Sequence, residues 1–182
     1  MDNITSAEKN KLALTYAPLV GIIYIIIITA VNLTIGNMIL FYVMKFIGYV
    51  LYFVILGILA TRIKKANGGY IEFREIFGAL FIMILVAELM YFVYSFIYTK
   101  YIDPHFMDRM KVAYLSFMEK MKTPDDKLEE ASKNFDKAIA ESKTFDFGKS
   151  LLSYFEIVVM DCLFGLIVCL IVKKPRPVVA NF

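Results

Sequence analysis

Four apolar segments, each long enough to cross a lipid bilayer, dominate this chain of 182 residues. They are predicted over residues 12–33, 37–61, 75–99 and 150–172, and each has the length of about twenty residues that a hydrocarbon core requires. Because 59% of all residues are hydrophobic, a soluble domain would have to expose a large apolar surface. The sequence therefore predicts an all-α integral membrane protein, in which residues 1–182 form one domain built on a four-transmembrane-helix bundle.

Local signals indicate where these helices begin and end. Thr5 and Glu8 fit a capping box, so the first helix is predicted to begin near Ser6. Asn67-Gly68-Gly69 is a strong turn signal between the second and third spans. Four spans joined in this way place both ends of the chain on the same side of the membrane.

The positions of the basic residues predict the orientation of the bundle. The turn between the first two spans contains no lysine or arginine, whereas the opposite side carries many. Four of these basic residues form a basic collar that is predicted to contact lipid or a partner protein: Arg62, Lys64, Lys65 and Arg74. By the positive-inside rule, the N- and C-termini are predicted to be cytoplasmic.

Residues 103–147 are predicted to form an extracytoplasmic helical hairpin between the third and fourth spans. Asp103-Pro104 and Thr123-Pro124 both have the composition of helix starts. Apolar residues recur at spacings of three and four after each of them, which is typical of amphipathic helices. This hairpin could close on itself, cap the bundle or dock a partner, and the sequence leaves these alternatives open.

Four charged residues, Lys45, Glu88, Glu156 and Asp161, lie inside the apolar segments. A charge at bilayer depth is costly and usually faces a partner or a cavity. Helix rise places Lys45 about 12 Å and Glu156 about 10 Å from the outer ends of their spans, with Glu88 and Asp161 about 16–17 Å deep. One lysine cannot neutralise three acids, and burial disfavours a charged carboxyl group. Asp161 or Glu88 is therefore predicted to be protonated at neutral pH.

Two tyrosines extend these charges into a predicted intramembrane polar cluster. Tyr49 shares a helix face with Lys45, and Tyr91 shares one with Glu88, so a polar seam is predicted between the second and third helices. The cluster has three interpretations: a lysine–glutamate pair that fixes helix register, a contact with a partner helix, or a proton or ion relay.

The sequence carries no recognisable enzyme motif. It has one histidine and lacks the common metalloprotease, serine-hydrolase and nucleotide-binding patterns. Asp103, His105 and Asp108 crowd one turn, and we interpret them as a helix cap with a solvated histidine, because metal sites usually need more strong ligands. We therefore predict that the protein is not an enzyme and has no catalytic residue, metal site, cofactor or nucleic-acid partner.

Two stretches carry a resemblance to a known family. One runs from Gly69 to Phe77, and the other is Tyr101-Ile102-Asp103-Pro104-His105-Phe106, followed by the charged hairpin and the terminal segment that ends at Lys173-Lys174. In these motifs and their order, nearly the whole chain resembles domain-of-unknown-function family 4199, small four-span membrane proteins of Bacteroidota. The resemblance implies a bacterial inner-membrane location and no assigned catalytic residues. It also points to an envelope polyprenyl-phosphate glycosyltransferase as a partner, because relatives often sit beside genes for such enzymes.

These observations favour a non-enzymatic subunit or scaffold of a larger membrane complex. The alternative is a proton- or ion-coupled transporter or channel that uses the buried charges. Four short spans could form such a pathway only as an oligomer. The expected partners are therefore the lipid bilayer and either another protein or further copies of this chain.

Overall fold

The computed structural model of the protein describes residues 4–143 and 147–175. These residues form six α-helices: α1 (Ser6–Asn32), α2 (Met38–Ala66), α3 (Phe73–Ile97), α4 (Phe106–Lys120), α5 (Asp125–Lys143) and α6 (Phe147–Val172). A π-helical turn, Tyr98–Ile102, extends α3. The four helices α1, α2, extended α3 and α6 are long and apolar enough to cross a membrane. The prediction of an all-α, four-span membrane protein is confirmed.

The four membrane helices form a ring in the order α1, α3, α6, α2. α3 packs along α1 and α6, whereas α2 packs along α1 and touches α6 more lightly. α2 and α3 lie on a diagonal of the bundle and have few contacts with each other. Because α3 has the most extensive contacts, its side chains Ile76, Leu80 and Met83 lie fully buried at the centre of the core.

Two hydrogen-bonded features fix the start of α1. The Thr5 hydroxyl accepts a hydrogen bond from the Glu8 N–H at 3.2 Å, and the Glu8 carboxylate accepts one from the Thr5 N–H at 2.7 Å. This is the predicted capping box, and it is confirmed. One residue later, the buried Lys9 forms an ion pair of 2.5 Å with Glu75 at the start of α3.

The predicted turn at Asn67-Gly68-Gly69 follows α2 directly. Gly68 and Gly69 have φ values of 72° and 86°, a backbone conformation that glycine adopts without steric cost. The Asn67 side-chain amide donates a hydrogen bond of 2.7 Å to the Tyr70 carbonyl. This closes the turn before α3 begins at Phe73.

The C-terminal end of α6 is hydrogen-bonded to residues in and next to the same turn. Ile71 and Lys174 exchange two backbone hydrogen bonds of 2.9 and 3.0 Å. The Lys64 ammonium donates a hydrogen bond of 3.1 Å to the Val172 carbonyl, and the Lys174 ammonium lies 5.1 Å from the centre of the Tyr70 ring. This end of the bundle is named the inner end, and the opposite end, which carries α4 and α5, is named the outer end.

α4 and α5 form a hairpin that packs onto the outer end. Phe106 of α4 belongs to the same apolar cluster as Met38, Phe41 and Tyr98. α5 in turn packs on α4, where the rings of Tyr114 and Phe135 lie 5.5 Å apart. The hairpin therefore both closes on itself and caps the bundle. Residues 144–146 of the predicted hairpin lie outside the described residues.

The predicted start of α4 at Asp103-Pro104 is wrong. The π-helical turn carries α3 onward to Ile102, and the Asp103 N–H donates a hydrogen bond of 2.7 Å back to the Tyr98 carbonyl. Asp103 thus ends one helix instead of capping the next, and its carboxylate pairs with Arg109. α4 begins at Phe106 after His105, whose exposed ring lies 3.4 Å from the Asp108 carboxylate.

Candidate functional site

A lateral groove of about 1250 Å³ runs along the bundle between α2 and α6. It exists because these two helices touch only lightly. The groove extends from Tyr42 and Lys45 near the outer end to Thr61 and Lys65 near the inner end. Its walls are largely apolar, so the few polar side chains along it are its most distinctive feature.

Two opposite charges lie across this groove at the same level. The rings of Phe53 on α2 and Phe164 on α6 are 5.6 Å apart, and both helices run from the outer to the inner end. Eight residues before Phe53 is Lys45, and eight residues before Phe164 is Glu156. Equal helix rise therefore brings Lys45 and Glu156 to one level on facing walls.

Neither of these two side chains forms an ion pair with any residue in the described part of the chain. Lys45 and Glu156 are both exposed on the surface of the bundle. The lysine–glutamate pair that the sequence suggests is thus not formed inside one copy, and both charges face the bilayer side of the groove.

Two acids lie together in the core. Glu88 on α3 and Asp161 on α6 are 1% and 0% exposed, and their carboxyl groups are neighbours. Among the described residues, both Asp161 oxygens and Oε1 of Glu88 have no hydrogen-bond donor. Asp161 also lines the groove, so one acid of this pair lies between the core and the groove.

Aromatic side chains surround the acid pair. Tyr24 of α1 stacks on Tyr52 of α2 with ring centres 4.5 Å apart, and it lies 5.2 Å from the Tyr91 ring of α3. Tyr49 adjoins the Asp161 carboxyl group. Sequence reasoning missed Tyr24. Ala13, Ala17, Val20 and Tyr24 recur at spacings of three and four and are all buried, but the residues on the other faces of α1 are also apolar, so the sequence does not mark this face.

The structure thus divides the predicted polar cluster into two groups. Glu88, Asp161, Tyr49 and Tyr91 come together around the core, whereas Lys45 and Glu156 lie on the surface. The predicted polar seam along the second and third helices is not formed, because α2 and α3 lie on a diagonal and their polar side chains approach only at the centre.

The basic collar lies at the inner end of the bundle. Arg62 and Lys65 line the inner end of the groove and are exposed. Lys64 instead caps α6 through its bond to Val172, and Arg74 is exposed at the start of α3. Two of the four collar residues are therefore placed to contact whatever occupies the groove.

The comparisons with known proteins identify one family to which the chain is similar. No curated protein and no solved structure matches the chain. A family model described as "Protein of unknown function (DUF4199)" matches residues 15–174. The match covers α1 from Thr15 onward, all of α2 to α6, and Lys174, which is hydrogen-bonded to Ile71. The chain therefore belongs to the DUF4199 family.

Proposed function

We propose that this protein is a non-enzymatic subunit or scaffold of a larger membrane complex. The observation that carries this proposal is the unpaired Lys45 and Glu156 on facing walls of the groove. A charged side chain exposed to acyl chains is costly, and such residues usually pair with one another or with a partner. Covering the groove with protein would therefore stabilise this surface.

The proposed location is the bacterial inner membrane, with both ends of the chain in the cytoplasm. The basic collar at the inner end supports this orientation by the positive-inside rule. Its exposed members, Arg62 and Lys65, would also be attracted to anionic lipid headgroups at that surface. The family resemblance supplies an envelope polyprenyl-phosphate glycosyltransferase as a candidate component of the complex.

Photo-crosslinking in native membranes tests the subunit role. A photoreactive amino acid at Phe46, which is 71% exposed and lines the groove, should yield a discrete crosslinked protein band. The same probe at Ile26, which is 62% exposed on α1 outside the groove lining, should yield lipid adducts. Mass spectrometry of the Phe46 band then shows whether the neighbour is a glycosyltransferase, another protein or a second copy of this chain. Lipid adducts alone at both positions would contradict the proposal.

A transporter or channel is the second candidate, and the acid pair favours it. Asp161 both adjoins Glu88 in the core and lines the groove, as a relay between two environments requires. If the protein is a transporter or channel, liposomes containing it should show a proton or ion flux, and Asp161→Asn and Glu88→Gln should each abolish that flux. Met160→Leu, an apolar change at the neighbouring position in the groove, should leave the flux intact. Wild-type protein that carries no more flux than empty liposomes would exclude this candidate.

The predicted protonation of the acid pair can be measured separately. Two adjacent carboxyl groups in an apolar core are expected to hold at least one proton, because the charged form of each is disfavoured by burial. Infrared spectroscopy at neutral pH should therefore detect a protonated carboxyl group that Asp161→Asn or Glu88→Gln removes. Met160→Leu, an apolar change at the neighbouring position of α6, should not change that band. A spectrum without a protonated carboxyl band, or a band that persists in both acid variants, would refute the prediction.

A further inference from the structure

We infer that the occupant of the groove is a second copy of this chain, with Lys45 of each copy paired to Glu156 of the other. This inference rests on the proposed function, because it names the partner that covers the groove. The dimer has a two-fold axis along the bilayer normal, and the groove faces of the two copies meet across that axis. Each contact is then made twice, as in any interface between identical patches.

Charge complementarity supports a second copy over an unrelated helix. The two walls carry charges of opposite sign at one level. A two-fold rotation about the bilayer normal keeps every residue at its own depth and exchanges the walls, so α2 of one copy faces α6 of the other. Lys45 therefore meets Glu156 twice, with no vertical shift. An unrelated partner would need a complementary acid and base at the same depth, whereas a second copy supplies both.

The shape of the groove edges fits the same arrangement. Exposed apolar residues follow each other at a spacing of four along the α2 edge of the groove: Phe46, Val50, Val54 and Ile58. The α6 wall carries exposed residues at spacings of three and four: Glu156, Met160, Phe164, Ile167 and Ile171. Rows of residues four apart are the ridges that interlock when helices pack. Packing of this kind, together with polar contacts, drives helix association in membranes.

Reversing the charge at Lys45 or at Glu156 tests this dimer. Lys45→Glu leaves two acids on the groove walls, and Glu156→Lys leaves two lysines. Copies with two different affinity tags are co-expressed, extracted in mild detergent, and assayed for recovery of one tag with the other. We expect the wild-type copies to associate. In each single variant, the recovery of one tag with the other should be at least tenfold lower than in the wild type. Co-expression of the two variants should restore association to the wild-type level.

A charge change away from the groove is the control. Lys127→Glu inverts an exposed lysine on α5 and should leave self-association unchanged. Wild-type protein that does not associate would overturn the inference. Variants that still self-associate would also overturn it. The same holds if the two co-expressed variants do not associate with each other, because an ion pair within one copy would give no rescue between copies.

A disulfide measurement covers the case in which the charge variants do not fold. Cys162 and Cys169 are first replaced by serine. Phe46→Cys on one tagged copy and Ile157→Cys on the other lie at one level of the groove and keep both native charges. Oxidation should give a band that carries both tags, whereas Ile26→Cys with Ile157→Cys should not. Absence of the first band would count against the dimer.

The two proposals fail in different ways. A crosslink from Phe46 to another protein, without self-association, would overturn the dimer and leave the subunit role standing. No protein crosslink at Phe46 would overturn both.

Discussion

At the scale of single residues, two buried tyrosines differ in how their hydroxyl groups are satisfied. The Tyr154 hydroxyl of α6 donates a hydrogen bond of 2.9 Å to the Leu85 carbonyl of α3. The Tyr52 hydroxyl is buried beside the acid pair without a partner among the described residues. A buried polar group without a hydrogen bond costs free energy, whereas a satisfied one contributes modestly to stability.

The two tyrosines should therefore respond in opposite ways to loss of the hydroxyl. Tyr154→Phe is expected to lower the free energy of unfolding by about 1 kcal/mol. Tyr52→Phe is expected to leave it unchanged or raise it, because only an unpartnered hydroxyl is removed. Thermal unfolding of both variants in one detergent measures the difference. A larger loss of stability in Tyr52→Phe than in Tyr154→Phe would show that the Tyr52 hydroxyl has a partner.

The depth of each charged residue could be predicted from sequence, but the direction of its side chain could not. Counting along ideal helices brings Lys45 and Glu156 to matched depth, and the structure places them at one level. Nothing in the sequence shows that both face the bilayer, because membrane helices are apolar on all sides and give no periodic signal for the core face. Tyr24 escaped notice for the same reason, since it lies among uniformly apolar residues.

At the scale of helices, glycines allow α1 to approach its two neighbours closely. A Cβ atom on Gly48 of α2 would lie 2.7 Å from Ile27 Cγ2 of α1. A Cβ atom on Gly21 of α1 would lie 2.5 Å from Met90 Sδ of α3. Small residues commonly serve this purpose between membrane helices. The spacing of α1, and with it the position of Tyr24, depends on these two sites.

Enlarging Gly48 should therefore separate α1 from α2. Gly48→Leu is expected to lower stability by about 1–3 kcal/mol, which is typical of overpacked cores. Gly78→Ala is the matched control, because Gly78 also lies within a helix and a Cβ atom there meets nothing within 4 Å. Thermal unfolding in detergent should show a loss in the first variant only. Equal stability of both variants would argue against a close α1–α2 contact at Gly48.

Some local sequence signals predicted the helix boundaries correctly, and one did not. Thr5, Glu8 and the Asn67-Gly68-Gly69 turn act through hydrogen bonds and backbone conformation within a few residues, and the structure confirms them. The start of α4 depends on how far α3 continues. That continuation is a π-helical turn, which Asp103 ends through its bond to Tyr98, and no short motif in the sequence marks it.

At the scale of the whole molecule, the even number of spans follows directly from the sequence, but the order of helices around the ring does not. Several arrangements of four apolar helices bury similar surface. The ring α1–α3–α6–α2 depends on close contacts such as those at Gly21 and Gly48. This order is what separates the predicted polar cluster into a core pair and two surface charges.

Membrane orientation is a prediction that belongs to this scale. With Cys162 and Cys169 replaced by serine, single cysteines are introduced at Lys127 on α5 and at Ala66 beside the basic collar. A membrane-impermeant thiol reagent should label Lys127→Cys in intact cells, whereas Ala66→Cys should react only after the membrane is opened, because basic residues remain cytoplasmic. Both should react in detergent. The reverse pattern in intact cells would invert the proposed topology.

α6 follows the α4–α5 hairpin in the chain, and this order has a consequence for biosynthesis. The ribosome completes α1, α2 and α3, and then the whole α4–α5 hairpin, before α6 is made. During that interval Glu88 has no Asp161 beside it, and α3 presents a carboxyl group on a face that α6 will later cover. The hydrogen bonds between Ile71 and Lys174 can form only after α6 has been synthesised. Nascent chains that stop before α6 should therefore be recognised as unfinished and degraded by membrane proteases.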